Sequence, residues 1–189
     1  GLRNTISLEG RAGTGMGPVH WTGNFDEIQD FENDIRNNQA GTGLLSASDW
    51  AEAMHPLQAP KAGRSVDLDA LAAYVSSLAA TPTSPYAAPE GGEARFVEAG
   101  CAACHDPTTQ YTDSLTGVRH DVGTLRTTSG QRLGGPLDGL DTPTLLGSFA
   151  TGPWLHDGSA PTLEAAIEAH DLPLAPEDVT ELAAFVRSL

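Results

Sequence analysis

The chain contains two cysteines, Cys101 and Cys104, and His105 follows directly in the run Cys101-Ala-Ala-Cys104-His105. Thiols three positions apart on one helical turn reach both vinyl groups of a single haem, and the adjacent imidazole then points at the iron. A group of that size dictates how the surrounding chain must fold. The same spacing also serves a disulfide, a redox dithiol or half of a zinc site. A thioredoxin-like dithiol needs a βαβ context, which this sequence lacks. A zinc site built on cysteine pairs needs a second pair, which the chain does not have. One covalently attached haem c with His105 as its proximal ligand is therefore expected. Residues 92–100 read as a short helix leading into the motif.

Composition fits a cofactor-filled interior. Hydrophobic residues make up 39% of the chain but aromatics only 6%, so Ala, Leu and Val must supply most of the core. The 21 glycines and 13 prolines are many for a helical protein and imply short helices joined by long, shaped loops. A haem adds apolar volume that such a core otherwise lacks.

Two segments share one helical pattern. Leu68, Leu71, Val75 and Leu78 are spaced as Val179, Leu182, Val186 and Leu189 are, and the local sequences LDALAAYVSSL and VTELAAFVRSL match. Pro176 with Glu177 suits the first turn of the second helix. Upstream of each, Asn4–Leu8 and Gly17–Gly23 echo Asp141–Leu145 and Gly152–Gly158. The chain thus reads as two diverged copies of one unit. The first, 1–83, is a degenerate or truncated cytochrome c-like unit without a haem motif; the second, 84–189, is the c-type haem domain. The Pro-rich stretch Thr81–Pro89 reads as the linker between them. Strand signals are weak and confined to Thr124–Thr128, so the expected fold is mainly α: two tandem cytochrome c-like helical units with long loops.

A net charge of -15 argues against nucleic-acid binding, which needs a basic surface. It suits a basic redox protein partner met by electrostatic steering, and equally a surface that is acidic only for solubility or a salty habitat. No apolar run is long enough to span a bilayer. The chain begins at Gly1 without a signal peptide, which reads as a processed protein or an excised fragment. Thioether attachment is extracytoplasmic chemistry in bacteria, so a periplasmic or extracellular location is expected.

The iron's second axial ligand has several candidates: Met16, Met54, His20, His55, His120, His156 and His170. A lone histidine is more often a surface or loop residue than a ligand. Residues from Leu163 onward read as a helix, with His170 near its end on the Leu163–Ala166–Ile167 face. An imidazole on an apolar face needs a partner for its nitrogen, and iron supplies one.

Thr142-Pro-Thr-Leu145, Ala150-Thr-Gly-Pro153, Leu155-His-Asp-Gly-Ser159 and Thr162-Leu-Glu164 resemble the C-terminal domain of the bacterial dihaem cytochrome c peroxidases and of the related methylamine-utilisation dihaem proteins. The likeness extends over most of both halves and is specific over 141–170. In that family the distal ligand lies fourteen residues beyond the His of the His-Asp-Gly motif, as Met or Tyr; here that position is His170. The resemblance thus implies bis-histidine ligation by His105 and His170, with His156 as runner-up, although the family places it beside the haem. Trp21 matches a tryptophan held between the family's two haems as an electron relay; without a second haem it reads more simply as a core aromatic. The Asn4 side chain and the Thr151 and Pro153 carbonyls match a calcium site between the family's two domains, and hard oxygen ligands suit Ca2+.

The resemblance also implies a haem motif in the first unit, upstream of Asn4, and truncation would explain its absence. The family's peroxidases need an acid over that haem, and Ile35–Gly43 contains none. The acidic run Asp26, Glu27, Asp30, Glu32 and Asp34 reads as a solvated helix face. Bis-His ligation lowers the potential relative to Met and leaves no open position for peroxide. An electron carrier is thus the leading expectation, and peroxidase activity by this chain alone is not expected. The alternatives are the electron-feeding domain of a dihaem peroxidase or oxygenase, and a haem-containing structural or assembly module of a larger protein.

Overall fold

A computed structural model describes residues 3–189, so Gly1 and Leu2, at the edge of the first unit, lie outside the described residues. The fold is mainly α. Six helices carry it: α1 (Phe31–Asn37), α2 (Ala47–Ala53), α3 (Val66–Ser77), α4 (Gly92–Glu98), α5 (Leu163–Glu168) and α6 (Pro176–Ser188). Long loops with single 3₁₀ turns join them. One two-stranded antiparallel hairpin, β1 (Gln131–Arg132) with β2 (Gly135–Pro136), lies just beyond the weak strand signal; Thr127–Ser129 is instead a 3₁₀ turn.

The helix starts follow side-chain capping. Ser46 accepts the Asp49 amide at 3.1 Å to open α2. Ser65 accepts the Leu68 amide at 3.3 Å to open α3, and Thr162 the Ala165 amide at 3.1 Å to open α5. Pro176 opens α6, where a missing amide hydrogen costs nothing.

Two apolar clusters organise the chain. Val19, Phe25, Ile28, Ala72 and Val75 form one, around the first-half helices. Phe96, Leu163, Leu182, Ala183, Phe185 and Val186 form the other, where α4 and α5 both pack on α6. Gly92 allows the α4–α6 approach, because a Cβ there would sit 2.9 Å from the Phe185 ring. Arg95 of α4 pairs with Asp178 of α6, and Arg187 of α6 with Glu164 of α5 at 3.3 Å. Of the expected apolar face of α3, Leu68 and Val75 are buried, whereas Leu71 is exposed and Ala72 takes the inward position.

The halves meet through backbone contacts. The Asn4 amide donates to the His156 carbonyl at 2.7 Å and the Asp141 amide to the Trp21 carbonyl at 2.9 Å. Arg132 Nε donates to the Thr22 carbonyl at 2.8 Å. The Pro-rich stretch lies along the molecule, with Ser84 Oγ bonded to the Arg187 carbonyl at 2.7 Å.

Of the acidic run of the first half, Asp26 is exposed and Glu27 and Asp34 are half-buried, but two of its members are not on a solvated face. Asp30 and Glu32 are fully buried. Asp30 meets buried Lys61 at 2.5 Å, and Glu32 accepts the Leu44 and Leu45 amides at 2.8 and 3.0 Å together with Arg36 Nε at 2.7 Å. Each carboxylate is tolerated inside because partners distant in sequence replace its water.

Candidate haem site

Just beyond α4 and its cap Ala99, Gly100 with a φ of +82° turns the chain into the 3₁₀ turn Cys101–Ala103. The His105 amide donates to the Cys101 carbonyl at 2.9 Å, which closes the turn and carries both thiols and the imidazole on one short segment. Burial pushes both thiols above their usual pKa, with Asp113 adding to the effect at Cys104. Without a bound group, both thiols are therefore held in the protonated form.

The segment lines a cavity of about 330 Å³ whose wall is mostly apolar, with Phe96, Leu145, Leu163, Ile167 and Val186 among its members. That size and character are those of a small-molecule site. His105 reaches it from the cysteine turn. Its Nδ1 donates to the Tyr111 carbonyl at 3.0 Å, which leaves Nε2 to ligate. Burial lowers its pKa to about 4 against the opposing pull of the Tyr111 carbonyl, so the ring is the neutral, ligating form at pH 7.

His170 lines the same cavity from the turn after α5, where its amide donates to the Ile167 carbonyl at 3.1 Å. Its Nδ1 donates to the Ala166 carbonyl at 2.8 Å, the same commitment that His105 makes. The two imidazoles are close enough that His170 helps depress the pKa of His105.

The other candidates are otherwise engaged. His20 uses both nitrogens, Nδ1 with Asn24 Oδ1 at 3.2 Å and Nε2 with Asp34 at 3.1 Å. His120 Nε2 pairs with Asp113 at 2.7 Å. His156 Nε2 meets Ser129 Oγ at 2.7 Å, and its ring stands edge-on to Trp21 at 6.5 Å between centroids. His55, Met16 and Met54 do not line the cavity.

The wall also holds two buried polar atoms without a protein partner, Arg11 Nε and His156 Nδ1. Two thiols, two imidazoles, an apolar wall and the unmatched buried Arg11 donor fit a large apolar group that carries iron and anionic oxygens. Cysteine counting did not foresee one further grouping: Cys104 Sγ, an Asp113 carboxylate oxygen and a His120 nitrogen lie within 4.8 Å of one another, a set that could hold a metal ion. Two of its members are already paired with each other, His120 Nε2 with Asp113 at 2.7 Å.

Asn4, Thr151 and Pro153 border the same cavity, and the Asn4 side-chain amide bonds the Pro153 carbonyl. Oxygen-bearing groups from both halves therefore meet there. Trp21 lines the cavity too, held by a 2.8 Å bond from its Nε1 to the Asn4 carbonyl. It also lines a second cleft of about 850 Å³ in the first half, together with Phe31, Ile35, Leu71 and Val75.

Sequence reasoning missed Arg11 and Asp141. Arg11 is 4% exposed and Asp141 6% exposed. Asp141 accepts Ser114 Oγ at 2.7 Å, and burial raises its pKa to about 6. No periodicity marks either residue, because both sit in loops.

No family profile and no curated protein matches the chain. Among solved structures it is similar to Kuenenia stuttgartiensis hydrazine synthase, in a structure pressurised with 20 bar xenon, at a TM-score of 0.56 and 21% identity over 99% of this chain and 72% of that one. At that identity the likeness is one of fold.

Proposed function

We propose that the chain is a one-electron carrier holding a single haem c on Cys101 and Cys104, with His105 and His170 as axial ligands. The observation that carries this reading is that two imidazoles line one cavity with the two thiols, each with its Nδ1 committed to a backbone carbonyl. Haem c, when bound, supplies a one-electron iron couple. The chain's residues do the rest. Cys101 and Cys104 would fix the group in place, His105 and His170 would ligate its iron, and the apolar wall would keep water away and limit reorganisation on electron transfer. Two histidine ligands would leave the iron no site for peroxide.

The partner we propose is a basic redox protein, since the chain carries a net charge of -15. Thioether attachment is extracytoplasmic chemistry in bacteria, which supports a periplasmic or extracellular location; none of the described helices is long and apolar enough to cross a membrane. We also assign the division into units 1–83 and 84–189, and a Ca2+ site at Asn4, Thr151 and Pro153, to this reading.

The test is a pyridine haemochrome count with an EPR spectrum of the purified chain. One low-spin haem with bis-His features, unchanged by peroxide, is expected. A high-spin signal, or no covalent haem, overturns the reading. The shared position of Trp21 favours a second reading, in which this chain feeds electrons to a redox centre held in the first-half cleft. More than one haem in the intact protein, with turnover of peroxide, would select it.

A further inference from the structure

Arg11 is a buried cation with too few partners. Its Nη2 donates to the Pro18 carbonyl at 3.2 Å, its Nε has no partner, and among the described residues it forms no ion pair. A guanidinium stays charged inside a protein, so burial without a counter-charge is costly. Asp141 is the carboxyl group that acts on Arg11 electrostatically, but it is held by Ser114 and makes no ion pair with it. An anion supplied from outside the chain would meet this deficit, and Arg11 lines the cavity that carries the haem-attachment residues.

The backbone makes that placement deliberate. Arg11 sits in a turn flanked by Gly10 and Gly13, with φ of +77° and +74°. A Cβ on Gly10 would sit 2.9 Å from Thr81 Oγ1, and one on Gly13 2.6 Å from Ser76 Oγ. The Gly10 amide also donates to the Leu78 carbonyl at 2.8 Å. The turn is thus pressed on the end of α3, and the one long side chain between the glycines goes to the cavity.

We infer that Arg11 binds a propionate carboxylate of the haem and so raises its reduction potential, making the cysteine-free half of the chain a tuning element for the haem of the other half. This rests on the haem reading above. A cation beside the haem disfavours the ferric state, which carries one more positive charge, so its removal must lower the potential.

The experiment uses holoprotein with haem carrying ¹³C in its propionate carboxylates, as wild type, Arg11→Gln, Arg11→Lys and Asp141→Asn. Spectroelectrochemistry and redox-difference infrared spectra are recorded on each. In Arg11→Gln the midpoint potential falls and the ¹³C-shifted carboxylate bands move; Arg11→Lys, which keeps the charge, restores most of the potential. Unmoved labelled bands overturn the inference, and if the Asp141 carboxyl bands move instead, Arg11 serves Asp141. If Arg11→Gln does not fold, Arg11→Lys still decides, because loss of the bidentate fork shifts the labelled bands while the charge remains. Failure of the haem reading shows separately, as wild-type protein without a haemochrome.

Discussion

His105 and His170 face one cavity from separate elements, and each spends Nδ1 on a backbone carbonyl, of Tyr111 at 3.0 Å and of Ala166 at 2.8 Å. A carbonyl acceptor fixes the tautomer and makes the remaining nitrogen a better donor to iron. His170→Met replaces a strong nitrogen ligand by a thioether, which favours ferrous iron. The midpoint potential is expected to rise by on the order of 0.1 V, inside the roughly 0.8 V that axial ligands span, and the reduced spectrum to shift. Spectroelectrochemistry of the variant checks this; an unchanged potential removes His170 from the iron.

Lys61 and Asp30 form a buried ion pair at 2.5 Å, far from the haem motif in sequence. Removing one partner strands the other charge. Lys61→Met is expected to destabilise the fold by about 3–5 kcal/mol, and adding Asp30→Leu to recover most of that loss. Urea unfolding of the single and double variants reads both numbers, and a single variant as stable as wild type refutes the pairing.

Glu32 gathers the Leu44 and Leu45 amides and Arg36, and so fixes the loop that follows α1. Glu32→Ala leaves both amides without their acceptor, at about 1–3 kcal/mol for the buried Leu45 amide and less for that of the more exposed Leu44. Hydrogen exchange at Leu44 and Leu45 should accelerate well before other amides do. Uniform acceleration across the chain would mean that Glu32 supports the whole fold rather than this loop.

Much of the architecture was legible because it rests on local rules. The pattern Val179, Leu182, Val186 with Pro176 at its start gave α6, and the Gly92–Gly100 segment gave α4. The Cys101–His105 run gave the centre of the site for the same reason: its chemistry lies within one turn. Asp30 and Glu32 were misread because their partners, Lys61 and the Leu44 and Leu45 amides, lie beyond any helical period. Arg11 escaped notice because a loop carries no periodicity, and its role depends on a cavity assembled from both halves. Charge patterning reports solvent exposure only where no distant partner intervenes.

Asp141 gives a pH-dependent signature. It is buried, its carboxyl accepts Ser114 Oγ at 2.7 Å, and burial raises its pKa from 3.8 to about 6. A raised pKa means that between those values the folded chain binds a proton that the unfolded chain has released. The neutral carboxyl therefore contributes stability that is fully present below pH 3.8 and is lost as pH rises through about 6. At 1.36 kcal/mol per pKa unit, the loss is about 3 kcal/mol. Asp141→Asn keeps an uncharged acceptor for Ser114 and removes the titration. The stability of wild type minus that of Asp141→Asn should fall across this window and level off above it. Denaturant unfolding of both proteins at steps from acid to neutral pH measures the difference. A difference that stays flat would mean that Asp141 is ionised in the fold throughout, with Arg11 as its compensating charge, and this result would also count against Arg11 facing a haem carboxylate.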